Sequence, residues 1–275
     1  PLQTQRRPLG RWTLPALGLF GAVALVSTGI PLLAVLATAL AKTISGGLAP
    51  SNLGLQNFAA VLAAGSTARG ALLTSLGLGL AAALLTGLLG AFAAFVMLRT
   101  RARGRLYVDV LAALPNAAPG VVVELGMILL WNQPWWPITP YNTLWILILA
   151  YMLLLLPQPV RYTTAALQQI SPSLDAAARV SGASDLVMAR RILLPLVAPH
   201  LLVAMLLVFV VAARELVASL LILPVGQQTI ATFIWRQFDQ GSVGLGMAMA
   251  FLTICLTTLL PLIVLLLARR TEHIG

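Results

Sequence analysis

Polar and apolar positions along this chain fall into long blocks rather than a strict alternation. Six apolar blocks stand out, at approximately Thr13–Ala41, Ala71–Leu98, Val108–Trp131, Thr143–Val160, His200–Leu223 and Gly246–Ala268. A helix rises about 1.5 Å per residue and a bilayer core is about 30 Å thick, so about 20 apolar residues cross it. Each block therefore predicts one membrane-spanning helix, and the longer ones tilt or project into water. A membrane β-barrel would instead show short segments of alternating polarity, which are absent.

Six spans place the arginines in a consistent order. Arg6, Arg7 and Arg11 precede the first span, and Arg99, Arg101, Arg103 and Arg105 follow the second. Arg161, Arg179, Arg190 and Arg191 lie between the fourth and fifth, and Arg269 and Arg270 follow the sixth. All of these fall on one side, leaving only Lys42, Arg69 and Arg236 on the other. Excess Lys and Arg marks the cytoplasmic side, so both termini and the 161–199 loop are expected in the cytoplasm. Five or seven spans would scramble the pattern.

Composition agrees. Of 275 residues, 60% are hydrophobic and only 9% charged, with a mean hydropathy of +0.97; soluble chains carry about 25% charged residues. The net charge of +10 does not indicate nucleic acid, because the basic residues sit at the ends of apolar runs rather than in one patch. A single cysteine, Cys255, excludes a disulfide framework and reads as a packed or lipid-facing thiol. The apolar run after Arg11 is too long for the 7–15-residue core of a signal peptide, which predicts an uncleaved first span. The chain starts at Pro1, as a trimmed chain or the later part of a longer polypeptide would. The segment 131–145, with Trp131, Trp135, Trp136, Tyr141 and Trp145, reads as an interfacial aromatic belt or as a docking surface for an external partner.

One polar island interrupts the apolar pattern, LDAAARVSGASDLVMARRILLP at 174–195. Ser171-Pro172 is a helix start, with serine as cap and proline at the first helical position. Gly182 interrupts the following helix, and Ser184-Asp185 offers a second cap. Pro195 and Pro199 punctuate the approach to the fifth span. The expected shape is helix, bend, helix along the cytoplasmic face. It reads either as an amphipathic surface loop or as a short rigid helix that inserts into a groove of a soluble protein.

The spacing within the island resembles the permease signature of binding-protein-dependent ABC importers: Glu-Ala-Ala, three residues, Gly, nine residues, Ile, one residue, Leu-Pro. Ala177, Ala178, Gly182, Ile192, Leu194 and Pro195 fall on it; Ala176 stands where the signature has Glu, and acidic Asp175 lies one residue earlier. The resemblance covers about residues 70–268. It implies an all-α polytopic membrane protein with six transmembrane helices, a cytoplasmic coupling-helix loop and a MetI-like ABC permease fold. It divides the chain into 1–69 (cytoplasmic tail, first helix and outer loop) and 70–270 (a permease core of five helices, with coupling loop 161–199). The residues it assigns to ATPase coupling are Asp175, Ala176, Ala177, Ala178, Gly182, Ala183, Ser184, Asp185, Ile192, Leu194 and Pro195.

The partners it implies are two ATP-binding subunits, a second permease domain (a copy, a paralogue or a fused half), an extracytoplasmic substrate-binding protein and the lipid of a bacterial inner membrane. ATP and Mg would be held by the partner ATPase. This chain shows no phosphate-cradling Gly-rich loop followed by Lys-Ser/Thr, no catalytic triad and no metal cluster, so no cofactor and no enzymatic site are expected on it.

Ionisable residues inside the spans are the remaining candidates. Glu124 lies in the third block and Arg214-Glu215 in the fifth. A charge near the bilayer centre costs about 2.5–3.5 kcal/mol even on lenient insertion scales, so each should face the bundle interior and find a partner. A Glu124–Arg214 pair is the structural expectation; a pathway or gate role for Glu124 or Glu215 is the functional one. On a helix the adjacent Arg214 and Glu215 point about 100° apart and so need different partners. Pro115, Pro119 and Gly120 predict a kink in the third block, either packed or lining a pathway.

The stretches LPNAAPGVVVELG, RELVASLLILPVGQQTIATFIW and GSVGLGMAMA are similar to permeases of the ferric-iron, thiamine, polyamine and aminoethylphosphonate group. Ferric iron is the first expectation for the solute, with an organophosphonate such as 2-aminoethylphosphonate, thiamine or a polyamine as alternatives. Two other classes compete. An ion-driven secondary transporter should show inverted repeats, and none is detectable. A non-transporting scaffold would not need Glu124, Arg214 and Glu215 in its spans.

Overall fold

The computed structural model describes residues 10–100 and 103–272, so Arg6, Arg7, Arg101 and His273 lie outside the described residues. Regular structure among the described residues is helical, apart from one isolated bridge between Ala41 and Leu53.

The six apolar blocks all appear, in three forms. The first, second, fifth and sixth each hold a continuous helix long enough to cross a membrane, the fifth block breaking after it. α1 spans Gly10–Leu40 and contains a wider π turn at Leu25–Gly29, just ahead of Pro31. Proline lacks the N–H that would bond one turn back, and the wider turn absorbs that loss. A short α2 (Gln56–Leu62) follows in the connection. α3 is the 33-residue helix Thr67–Arg99, started where Ser66 Oγ accepts a bond from Arg69 N at 3.1 Å.

The third block is broken. It runs as α4 (Arg105–Ala113), a tight turn at Leu114–Ala117, and α5 (Gly120–Trp131). Pro115 and Pro119 prevent a continuous ladder. The fourth block is a pair, α6 (Leu144–Leu155) and α7 (Pro157–Gln169), bent by 44°. Proline at 157 is tolerated as a first helical residue but cannot donate backwards, which localises the bend.

The polar island forms α8 (Pro172–Val180) and α9 (Asp185–Met188). A π turn at Ala189–Leu193 leads directly into α10 (Leu194–Ala212). The fifth span thus begins at Ala189, eleven residues before the expected His200: a π turn precedes Pro195, which stands in the first turn of α10, and Pro199 is held inside the helix. It then breaks at 213–216 and resumes as α11 (Val217–Ile222). A helix not foreseen from the hydropathy pattern, α12 (Ile230–Asp239), sits before the last span, α13 (Val243–Glu272). Its start carries a capping box between Thr229 and Thr232.

α3 is the centre of the bundle and packs against α6, α7 and α10. Close packing there depends on small residues, as is usual where lipid leaves no hydrophobic drive between helices. A Cβ at Gly90 would sit 2.8 Å from Pro159 Cβ and 2.9 Å from Val160 N. The main core joins Leu78 and Ala82 of α3, Ile146, Leu147 and Tyr151 of α6, Val208 of α10 and Ile222 of α11. A second cluster holds Ala39, Val61, Ala71, Ile230, Phe233 and Met249 together.

Candidate functional site

Two regions carry the candidate chemistry: the polar island and the breaks in the third and fifth spans.

In the island, Ser171 Oγ accepts from Ser173 N at 3.3 Å, and Ser184 Oγ accepts from Val187 N at 3.4 Å, so both expected capping serines act on helix starts. α8 ends in a paired closure: Ser181 N donates to Ala177 O at 3.0 Å and Ala183 N to Ala178 O at 3.0 Å. The second bond spans five residues and requires a left-handed residue between, which Gly182 supplies with φ +80°. The bend after α8 is therefore fixed rather than loose.

The island is seated on the bundle. Ala178, Met188 and Leu193 are buried in one cluster, packed against Phe95 of α3, Ile170, Ala183 and Ile192. Ala176, Ala177, Gly182 and Ser184 remain exposed, as do Leu194 and Pro195. Val180 is 89% exposed, and Leu174 and Val187 are exposed as well. The motif thus divides into an anchoring half (Ala178, Ala183, Ile192) and a presented half (Ala176, Ala177, Gly182). The side chains of Asp175 and Asp185 lie outside those described.

A further anchor was missed in the sequence, where Arg99 counted only towards topology. Its Nη2 donates to Leu167 O at 2.8 Å and Ile170 O at 3.0 Å. A cation on the last carbonyls of α7 satisfies groups the helix cannot, and complements its dipole. It ties the end of α3 to the entrance of the island.

At the breaks, the structure corrects two expectations. Arg214 and Glu215 are not on a helix: they occupy the turn between α10 and α11. The Glu124–Arg214 pair is not formed. Glu124 is 1% exposed, its Oε2 has no hydrogen-bond partner, and Arg214 is exposed. The break displaces Arg214 from the helical path that would have aimed it into the bundle.

Glu215 serves its own turn. Its Oε1 accepts from Val217 N at 2.9 Å, capping α11, and its carbonyl accepts from Ser219 Oγ at 2.8 Å. Ser219 Oγ lies 3.2 Å from the Tyr151 hydroxyl of α6. Glu124 is carried on α5, which packs against the α6 segment that holds Tyr151 and the α11 segment that follows Glu215. α11 packs on α5 and α6, which brings the broken third and fifth spans together. Pro115 is buried at the first break; Pro119 precedes α5, and Gly120 lies beside Glu124, where an added Cβ would stand 3.8 Å from Glu124 Oε1. Tyr151 and Ser219 were not foreseen. A tyrosine inside the run LWILILAYMLLL was the available signal.

The aromatic connection is packed on itself. The Trp131 and Trp136 rings meet at 4.8 Å, tilted by 40°, Trp136 Nε1 donates to Leu130 O at 2.8 Å, and Asn142 Oδ1 accepts from Val225 N at 3.3 Å. Trp135 and Trp145 stay exposed, which fits a belt or a docking surface equally.

Broken apolar helices around buried polar groups, with a capped polar unit at the end of the bundle, define a multi-pass membrane permease. Comparison with known proteins gives the family. The pattern described as "Binding-protein-dependent transport system inner membrane component" matches residues 86–273. A protein of Salmonella typhimurium (strain LT2) named as a candidate 2-aminoethylphosphonate transport system permease, PhnV, is 30% identical over 241 residues, 88% of this chain and 89% of that protein. The Fe(3+)-transport system permease protein FbpB 2 of Haemophilus influenzae is 27% identical over 154 residues, 56% of this chain and 30% of its own length. In the crystal structure of a bacterial alginate ABC transporter with its alginate pentasaccharide-bound periplasmic protein, one chain superposes with a TM-score of 0.76 at 18% identity, covering 94% of this chain and 95% of that one. The chain belongs to the family of binding-protein-dependent transport system inner membrane components; it is a permease subunit of an ABC importer, embedded in the inner membrane.

Proposed function

We propose that this permease admits a small polar solute, delivered by an extracytoplasmic binding protein, when ATP hydrolysis on two partner subunits acts through residues 172–188. The observation that carries the reading is the construction of the island. It is capped at both helix starts, locked at Gly182, anchored through Ala178, Met188 and Leu193, and exposed along Ala176, Ala177 and Val180. A rigid piece seated on α3 and continuous with α10 transmits displacement; a flexible loop would dissipate it. The arginine asymmetry supports cytoplasmic termini and a cytoplasmic island. A second permease domain completes the pathway. α1, which has no buried residue along its membrane-length window, offers surface for it or for lipid.

The solute reading shifts from the first expectation. An organophosphonate of the 2-aminoethylphosphonate kind is favoured, because the similarity to PhnV runs along nearly the whole chain. Ferric iron is the second reading, supported by the shorter similarity to FbpB 2.

The test is Gly182→Val in proteoliposomes holding the complete importer. A β-branched residue at φ +80° is strained by about 1–3 kcal/mol, while nothing within 4 Å of the new Cβ obstructs it. Membrane insertion is expected to persist, and uptake per ATP hydrolysed to fall about tenfold or more. Normal coupled uptake by the variant contradicts the assignment.

A further inference from the structure

Among the described residues, Glu124 is the buried ionisable group at the breaks that the fold leaves with an unpartnered oxygen. It is almost fully buried, and Oε2 meets no donor. A buried carboxylate normally receives hydrogen bonds or a cation, and an ionisable group inside a membrane domain is expensive to keep without a use. Arg214 does not serve it.

The surroundings of Glu124 have one character. Tyr151 comes from α6, Ser219 from α11 and Glu215 from the break before α11, and Glu124 itself lies on α5. Tyr151 and Ser219 are each 1% exposed and hydrogen-bonded to one another. Two carboxylates and two hydroxyls therefore lie on segments that pack together where both spans are interrupted, and no basic side chain among the described residues donates to Glu124 Oε2. Oxygen acceptors beside an aromatic ring attract a positive charge.

We propose that Glu124, with Tyr151, Ser219 and Glu215, forms a subsite in the pathway for the ammonium group of a passing solute. This rests on the permease reading above. An ammonium presents three N–H donors and no acceptor, which matches a set made of oxygens. A bound metal ion fits less well: among the described residues no three His, Cys, Asp or Glu side chains gather as metal ligands. The subsite is closed here, and a solute group reaches it when α11 parts from α5. α11 is a six-residue segment set off by the turn at 213–216, so it can shift without unwinding α10.

Binding and transport are read separately. The complete complex is purified nucleotide-free and vanadate-trapped, and ethylammonium chloride is titrated against sodium chloride of equal ionic strength. We expect ethylammonium to raise the Tm of at least one state of the wild type, and of a Thr257→Val control, but not of Glu124→Gln, which keeps shape and loses charge. Glu124→Asp should regain part of the shift. In proteoliposomes, Glu124→Gln should slow 2-aminoethylphosphonate uptake about tenfold or more, while ATP hydrolysis stimulated by the loaded binding protein stays within about twofold. The proposal is overturned by an equal ethylammonium shift in wild type and Glu124→Gln, or by no shift in either state of the wild type. A shift produced by ferric citrate alone replaces the ammonium assignment with a metal one. Loss of stimulated hydrolysis together with uptake in Glu124→Gln makes the residue structural. Absence of stimulated hydrolysis in the wild type defeats the permease reading itself, a result distinct from the other four.

Discussion

Arg214 and Glu215 are adjacent, yet the structure uses them in unrelated ways. Glu215 caps α11 through Val217 N, whereas Arg214 is exposed and pairs with no acid among the described residues. Substitutions should separate them. Arg214→Ala is expected to change the stability of the purified permease by no more than about 0.5 kcal/mol, and Glu215→Ala to cost about 0.5–2 kcal/mol through the lost cap. Thermal unfolding in detergent measures both, and a larger loss from Arg214→Ala would restore a structural role for it. The sequence showed which residues carry charge inside the spans but not their pairing. Pairing depended on a helix break at 213–216 that no proline or glycine announces in VAARELVA. The capping serines were legible because their action is local: Ser171 and Ser184 bond within three residues. Tyr151 and Ser219 meet across 68 residues of chain, and local pattern cannot reach that far.

At the level of elements, prolines told the story where they stood alone and hid it where the helix ran on. Pro115 and Pro119 broke the third block as their positions implied, and Pro157 bent the fourth. Pro195 and Pro199 did not delay the fifth span: a π turn at Ala189–Leu193 precedes Pro195, and the helix continues through Pro199. The amphipathic α12 escaped notice because hydropathy averages over its two faces; its capping box was the better signal. The close contact of α3 with α7 yields a second prediction. Gly90→Val places side-chain atoms against Pro159 and the Val160 backbone, and should destabilise by about 1–3 kcal/mol through overpacking. Gly77→Ala on the same helix meets nothing within 4 Å, and should be neutral or gain up to about 1 kcal/mol from helix propensity. Equal Tm values for the two variants would contradict the packing described.

For the molecule as a whole, the long apolar blocks conveyed the all-helical membrane architecture, since bilayer thickness acts on any sequence alike. The arrangement of helices around α3 needed the structure. So did the division of the island into an anchored and a presented half, which depends on Phe95, 83 positions before Ala178 in the chain. The presented half is the centre of the account, and one measurement addresses it directly. Cys255 is the single cysteine, so a Cys255→Ser background permits placement of one thiol at a time. With Ala177→Cys or Val180→Cys labelled with a maleimide–benzophenone photocrosslinker, illumination should join the permease to its ATPase subunit, more weakly once ATP or vanadate changes the docking geometry. With Trp135→Cys in the aromatic connection, no ATPase adduct should form. Absence of an adduct from both island positions in an assembled, hydrolysing complex, or an adduct from position 135, would contradict the account.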